Sequence, residues 1–230
     1  MPTTPPRINL WAVDLDRWAA TGPDASTVTE RDRSQAGRIR SAGGGARLLA
    51  RRSATRTVLA EVLGVDAGDL GIERACPTCG SIEHGRPSVV GASVAFSVSS
   101  SDGLAVVAVA EGPVGVDLEV AHGHSPPQPA ALTVRERAGV AALAPGRQEV
   151  GFLRLWTAKE AVLKASGRSL ADDPATIEVV GLLDGDVVEV VDGRRTWTVR
   201  HLAFDAPTSD PAVLAVANIG GGQVVWRSLT

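Results

Sequence analysis

Phe152-Leu-Arg-Leu-Trp-Thr-Ala-Lys-Glu-Ala-Val-Leu-Lys-Ala-Ser-Gly167 decides how this chain is read. Phe152, Leu155, Trp156, Val162 and Leu163 recur at helical spacing and form an apolar stripe. The spacing predicts one long helix from Arg147 to Ser166, with Gly167 as its stop. Glu160 and Lys164 stand at i, i+4 on one face, in the favourable order. An ordinary surface pair would look the same, and Lys159 inside the stripe would then run its stem along the core and lift its ammonium to water. The lysines themselves argue for more. Of 23 basic side chains, 21 are arginine, and Lys159 and Lys164 are the two exceptions. Lysine is a compact point charge where arginine is a planar fork, so a chain that otherwise uses arginine has a chemical reason to place lysine here.

Outward from this helix, Gly115-Val-Asp-Leu-Glu-Val120 reads as a strand. Residues two apart share a face, so Asp117 and Glu119 lie together opposite Val116, Leu118 and Val120. Two carboxylates about 4–6 Å apart repel by a few kcal/mol at an effective dielectric of roughly 20. A divalent cation removes that cost, and magnesium suits a site with few protein oxygens and a phosphate to complete it. A half-exposed strand gives the same pattern. On the functional reading Glu160 joins Asp117 and Glu119 in a carboxylate trio, and Lys164 neutralises phosphate beside it. Gly85-Arg-Pro87 and Phe96-Ser-Val-Ser-Ser-Ser-Asp-Gly103 offer hydroxyls and turn amides to a phosphate, or are simply a loop and a serine-rich hairpin.

The remaining chain is a mixture of strands and helices. Residues 7–16 read as a strand and Ala46–Leu63 as a helix ended by Gly64, with Arg47 and Arg51 one turn apart. Val94–Val98 and Leu104–Ala110 are β-type runs joined by turn chemistry. Thr133-Val-Arg-Glu136 is a capping box opening a helix to about Leu143. Val187–Val191 and Thr196–Val199 flank Asp192-Gly193, a hairpin signal, and Val213–Ile219 and Val224–Trp226 follow. The mixture predicts an α/β or α+β class.

The 230 residues and 23.7 kDa suit one large domain or two packed halves, and 44% apolar residues suffice for a core. The longest clean apolar run, Leu104–Ala110, is far short of a membrane span. Met1–Arg7 has no apolar signal segment, and two cysteines make no disulfide framework, so the expected compartment is the cytoplasm. Net charge is −3, but Arg31–Arg56 holds eight arginines against Asp32 alone. A basic segment on an otherwise acidic chain points to a local anion site, or to a solvated helix face, and not to nucleic acid. Cys76-Pro-Thr-Cys79 with His84 looks like half of a zinc site. A structural zinc needs four ligands, no second cysteine pair exists, and His122 and His124 are remote in sequence. Neither a Gly-x-Ser-x-Gly elbow nor a P-loop is present.

Taken in order, Gly85-Arg-Pro87, Phe96-Ser-Val-Ser-Ser-Ser101, Gly115-Val-Asp-Leu-Glu119 and Trp156-Thr-Ala-Lys-Glu-Ala-Val-Leu-Lys164 resemble the 4′-phosphopantetheinyl transferases. The chain looks most like their long monomeric type, which activates surfactin synthetase and similar peptide, polyketide and fatty-acid assembly lines. The resemblance implies two similar α/β halves related by a pseudo-twofold, residues 1–113 and 114–230, with the active site at their interface. It implies transfer of phosphopantetheine from coenzyme A to a serine of an apo acyl or peptidyl carrier protein, with release of 3′,5′-ADP and magnesium as cofactor. By the same resemblance Asp117, Glu119 and Glu160 are metal ligands, Glu160 the general base, and Lys164 a contact to the transferring phosphates. Arg47, Arg86 and Ser99 match coenzyme-binding positions, and Lys159 a motif position of unassigned role. Ser100 departs from the pattern: it stands where the family usually has a histidine touching a coenzyme phosphate, and Ser97 where asparagine is common. A hydroxyl cannot become cationic, so weaker grip or compensation by Arg51 is expected. The rival expectations are a coenzyme A binding relative without turnover, and a different magnesium phosphotransferase acting on a nucleotide.

Overall fold

The computed structural model describes residues 6–21, 24–75, 80, 85–122, 129–168, 174–181, 185–193, 195–203 and 210–229. Cys76, Cys79, His84 and His124, and with them the half zinc motif, lie outside these residues. The elements run β1 (Arg7–Asp14), α1 (Leu15–Thr21), α2 (Glu30–Ala36), α3 (Gly44–Leu63), β2 (Ile72–Ala75), β3 (Arg86–Val89), β4 (Ala95–Ser101), β5 (Leu104–Ala110) and β6 (Val114–Val120). Then come α4 (Val134–Ala141), α5 (Pro145–Ser166), β7 (Glu178–Val180), β8 (Val187–Val191), β9 (Thr196–Leu202), β10 (Ala212–Asn218) and β11 (Gln223–Arg227).

Two larger sheets form an α+β fold. The first has the order β11-β1-β5-β4, the second β6-β10-β9-β8-β7, and β2 with β3 makes a short ribbon. Neighbours are antiparallel except β1 and β11, which run parallel. The boundary expected at residue 113 falls between the sheets, yet β11 returns across it to the first one.

Strand alternation builds the layers. Ile8, Leu10, Val106 and Ala108 of the first sheet pack on Val116, Leu118, Leu214 and Val216 of the second. The opposite side chains of the first sheet, including Trp11, Phe96, Val107 and Val109, pack under Val58 and Leu59 of α3. Those of the second sheet, with Trp197, Val199 and Ala215, receive Ala158, Ala161, Val162 and Leu163 of α5. The result is helix, sheet, sheet, helix. Each fully buried aliphatic side chain in these layers contributes about 1.5–3 kcal/mol.

Local chemistry sets the boundaries. Thr133 caps α4 through the expected box with Glu136. Gly167, at φ 75°, ends α5 in the left-handed conformation that glycine adopts without penalty. Helix α2, unread in the sequence, opens on a second box in which Thr29 accepts from Asp32 N and Asp32 returns a bond to Thr29 N. Among the described residues no helix is long and apolar enough to cross a membrane.

Candidate active site

One glycine brings the two decisive elements together. Gly115 faces α5, and a Cβ there would fall on the carbonyl oxygen of Ala161 and 2.6 Å from Ala165 N. Without a side chain at that point, α5 lies directly on β6. Asp117 and Glu119, two and four residues on, carry the same strand face beside Glu160 and Lys164.

Lys164 Nζ donates to Asp117 Oδ1 at 2.6 Å, to Val116 O at 3.1 Å and to Ser99 Oγ at 3.1 Å, which uses its three donors. Ser99 in turn donates to Asp117 Oδ1 at 2.8 Å. The other carboxylate oxygen, Asp117 Oδ2, is buried and has no hydrogen-bond partner. Glu160 is 6% exposed, and burial pushes its pKa up to about 7; the charges of Asp117 and Glu119 add to this, while Lys164 opposes it. Glu119 is raised as well, first by burial and then by Asp117. One ammonium therefore serves a cluster of three acids, and negative charge is left uncompensated.

A hard cation answers that imbalance. Among the described residues no three acidic, histidine or cysteine side chains converge closely enough to form a metal centre. Asp117, Glu119 and Glu160, expected around one ion, line one cleft, and the Lys164 ammonium pairs with Asp117 there. The donor set still fits magnesium. It is all oxygen, it has an orphaned buried oxygen on Asp117, and burial first and neighbouring carboxylates second raise the pKa of Glu119 and Glu160.

These acids form one end of a cleft of about 1140 Å³ whose other walls are cationic. Arg51 of α3 donates to Ser100 Oγ at 3.0 Å; burial draws its pKa down, and Arg52 and Arg74 add to the effect. Arg74 is lowered in the same way, by burial and then by Arg52 and Arg31. Arg86, on β3, spans to the last turn of α5 and donates to Ala165 O at 3.1 Å. Half-buried arginines whose pKa values are drawn down by burial first and by neighbouring guanidinium groups second mark a place where an anion would be welcome.

The expected residues Asp117, Glu119, Glu160, Lys164, Arg86, Ser99 and Ser100 all line this cleft. Arg47 does not. Asp16 of α1 holds it in a two-pronged pair, Nε to Oδ1 at 2.7 Å and Nη2 to Oδ2 at 2.6 Å. Lys159 does not line it either, and it does not reach water. It is fully buried, with Nζ 2.5 Å from Glu136 Oε2 and 3.1 Å from the carbonyls of Ala131 and Pro174. Arg31, Arg52, Arg56, Arg74 and Arg168 join the lining without having been singled out. The arginine excess of residues 31–56 marked the first three as a region; Arg74 and Arg168 left no signal of their own.

Residues 113–217 match the family model of the 4′-phosphopantetheinyl transferase superfamily. The match covers slightly under half of the chain, and it supports a phosphopantetheine-transfer activity in general terms. It begins at the edge of β6 and runs into β10, so the superfamily segment holds Asp117, Glu119, Glu160 and Lys164. The lining arginines contributed by α3, β2 and β3 lie upstream of it. A comparison with curated proteins returns no match.

Proposed function

We propose that this protein transfers 4′-phosphopantetheine from coenzyme A to a serine of an apo acyl or peptidyl carrier protein, in a magnesium-dependent reaction of the long, monomeric type. The observation that carries the reading is the juxtaposition, in one cleft, of a carboxylate with a pKa near 7 and a wall of arginines. A pKa near neutrality is what a general base needs at cellular pH.

In this reading the arginine wall, with Arg51 and Arg86 foremost, holds the anionic coenzyme. Glu160 accepts the proton of the carrier serine as that oxygen attacks the β-phosphate. The new bond is serine Oγ to phosphorus; the bond broken joins that phosphorus to the bridging oxygen of the pyrophosphate, and 3′,5′-ADP leaves with the electron pair. Asp117, Glu119 and Glu160 would hold magnesium, which supplies charge neutralisation to the pyrophosphate. Lys164 stands close enough to exchange Asp117 for a phosphate oxygen. Positioning and charge stabilisation then account for the rate, as in phosphoryl transfer generally.

The test mixes apo carrier protein, coenzyme A and magnesium with the protein and follows the carrier by mass spectrometry. The expected result is addition of phosphopantetheine, abolished by Glu160→Gln and Asp117→Ala in proteins that remain folded. Failure of the unaltered protein to modify acyl and peptidyl carriers alike would remove the proposal.

A further inference from the structure

Strands β4 and β6 belong to different sheets, and serines of β4 close the seam between them. Ser97, Ser99 and Ser101 share one strand face. Ser97 Oγ accepts from Val116 N at 3.1 Å, and four residues on Ser101 Oγ accepts from Val120 N at 3.2 Å. The constant offset makes the two strands run parallel here. Between these rungs the same serines address the acids. Ser99 donates to Asp117 Oδ1 at 2.8 Å, and Ser101 donates to Glu119 Oε2 at 3.0 Å. Two hydroxyls two residues apart thus meet two carboxylates two residues apart.

The acids are held differently. Asp117 also has the Lys164 ammonium. Glu119 is half-buried, is repelled by Asp117, and receives the Ser101 hydroxyl as a hydrogen-bond donor. That hydroxyl is fixed from behind, because its oxygen accepts from the Val120 amide of the neighbouring strand. A Glu side chain has three rotatable bonds, and a donor that is itself anchored removes much of that freedom.

We infer that Ser101 is a positioning residue that sets the Glu119 carboxylate for divalent-cation binding, acting through Glu119 and not on the substrate. This deepens the proposed function and rests on its metal reading. Partners that orient metal ligands from behind are worth roughly 10–100-fold in affinity. Threonine keeps the hydroxyl and suits a strand, so it should retain the function; alanine should not.

The experiment is a manganese titration followed by electron paramagnetic resonance, with coenzyme A present, on the unaltered protein, Ser101→Ala and Ser101→Thr. Ser101→Ala should bind manganese about tenfold more weakly, with Ser101→Thr within about twofold of the unaltered protein. In turnover, the magnesium KM should rise for Ser101→Ala while kcat at saturating magnesium and the KM for coenzyme A hold. Circular dichroism and a urea midpoint check the fold; should Ser101→Ala misfold, Ser101→Cys, a weak donor of similar shape, takes its place. Equal manganese affinity in Ser101→Ala and the unaltered protein, or equal weakening in the alanine and threonine variants, overturns the role of Ser101 alone. No manganese binding by the unaltered protein overturns the metal reading beneath it.

Discussion

Lys159 Nζ and Glu136 Oε2 lie 2.5 Å apart, in side chains that are 0% and 3% exposed. The pair joins α5 to α4, and Glu136 reaches further: Oε2 accepts from Thr133 N at 2.8 Å and Oε1 from Val179 N at 2.9 Å, on β7. Removing one partner of such a pair strands the other charge in a dry interior. Lys159→Met should therefore cost about 3–5 kcal/mol. Urea unfolding measures this, and a loss under 1 kcal/mol would show that the pair is not a structural clamp. Adding Glu136→Gln to Lys159→Met should recover part of the loss, because it removes the stranded charge; recovery stays partial, because the amide has one acceptor oxygen where Thr133 N and Val179 N use two.

Gly115→Ala tests the contact between β6 and α5. The added methyl meets the helix backbone at Ala161 and Ala165, which cannot swing aside as a side chain would. Overpacking of this kind costs about 1–3 kcal/mol or more, and it displaces Glu160 and Lys164 from Asp117. The expected phenotype is lower stability with a larger proportional loss of kcat. Wild-type turnover in a Gly115→Ala protein would disconnect this close approach from catalysis.

Glu160 makes stability depend on pH with a definite sign. Its pKa is raised from 4.5 to about 7 in the folded chain, so folding favours the protonated form. Below pH 4.5 that preference costs nothing. As pH rises to 7 and beyond, the folded protein must hold the ionised group at a cost of about 3 kcal/mol relative to the unfolded chain. Without divalent metal, Glu160→Gln should match the unaltered protein near pH 4 and exceed its stability at pH 8. A pH-independent gap between the two denaturation curves would contradict the buried, repelled carboxylate.

Arg51 stands 3.0 Å from the Ser100 hydroxyl, the position at which the sequence resemblance leads one to expect a histidine. Arg51→Ala should raise the KM for coenzyme A by about tenfold or more, as expected for a lost charge-assisted contact. Ser100→His should lower that KM, and more so at pH 6 than at pH 8. The adjacent guanidinium disfavours a second positive charge, so the imidazole is cationic only on the acidic side. Steady-state kinetics at the two pH values decides: an unchanged KM in Ser100→His contradicts a weakened grip at Ser100, and an unchanged KM in Arg51→Ala removes the compensation argument.

Much of this architecture is legible in the residues because its signals are local. Period-two alternation marked β1 and β6, β-type runs joined by turn chemistry marked β4 and β5, a hairpin signal marked β8 and β9, and a stripe with a glycine stop marked α3 and α5. The acids and Lys164 were legible because their spacings, two on a strand and four on a helix, each imply a shared face. What escaped depends on distant partners. Helix α2 hides behind a capping box built with Asp32 in place of Glu or Gln. The ribbon β2–β3 is too short to show a period. Arg47 and Arg51 are equivalent by helical spacing, and only the fold, by setting Asp16 beside Arg47, separates the one that faces the cleft. Lys159 looks like a snorkelling lysine until Glu136, 23 residues away, is seen to meet it.

The return of β11 to β1 has a consequence for biogenesis. Gln223 N donates to Pro6 O at 2.9 Å, and the parallel pairing continues through Trp11 and Arg227. The sheet that carries Ser99 and Ser100 is therefore finished by a strand that leaves the ribosome after every other described strand of the two sheets. The acidic end of the cleft has its strands and helix earlier, by residue 218. A nascent chain would hold the acids in place before its opening strand has gained a covered outer edge, and a fusion at the C-terminal side would load the border of that same sheet.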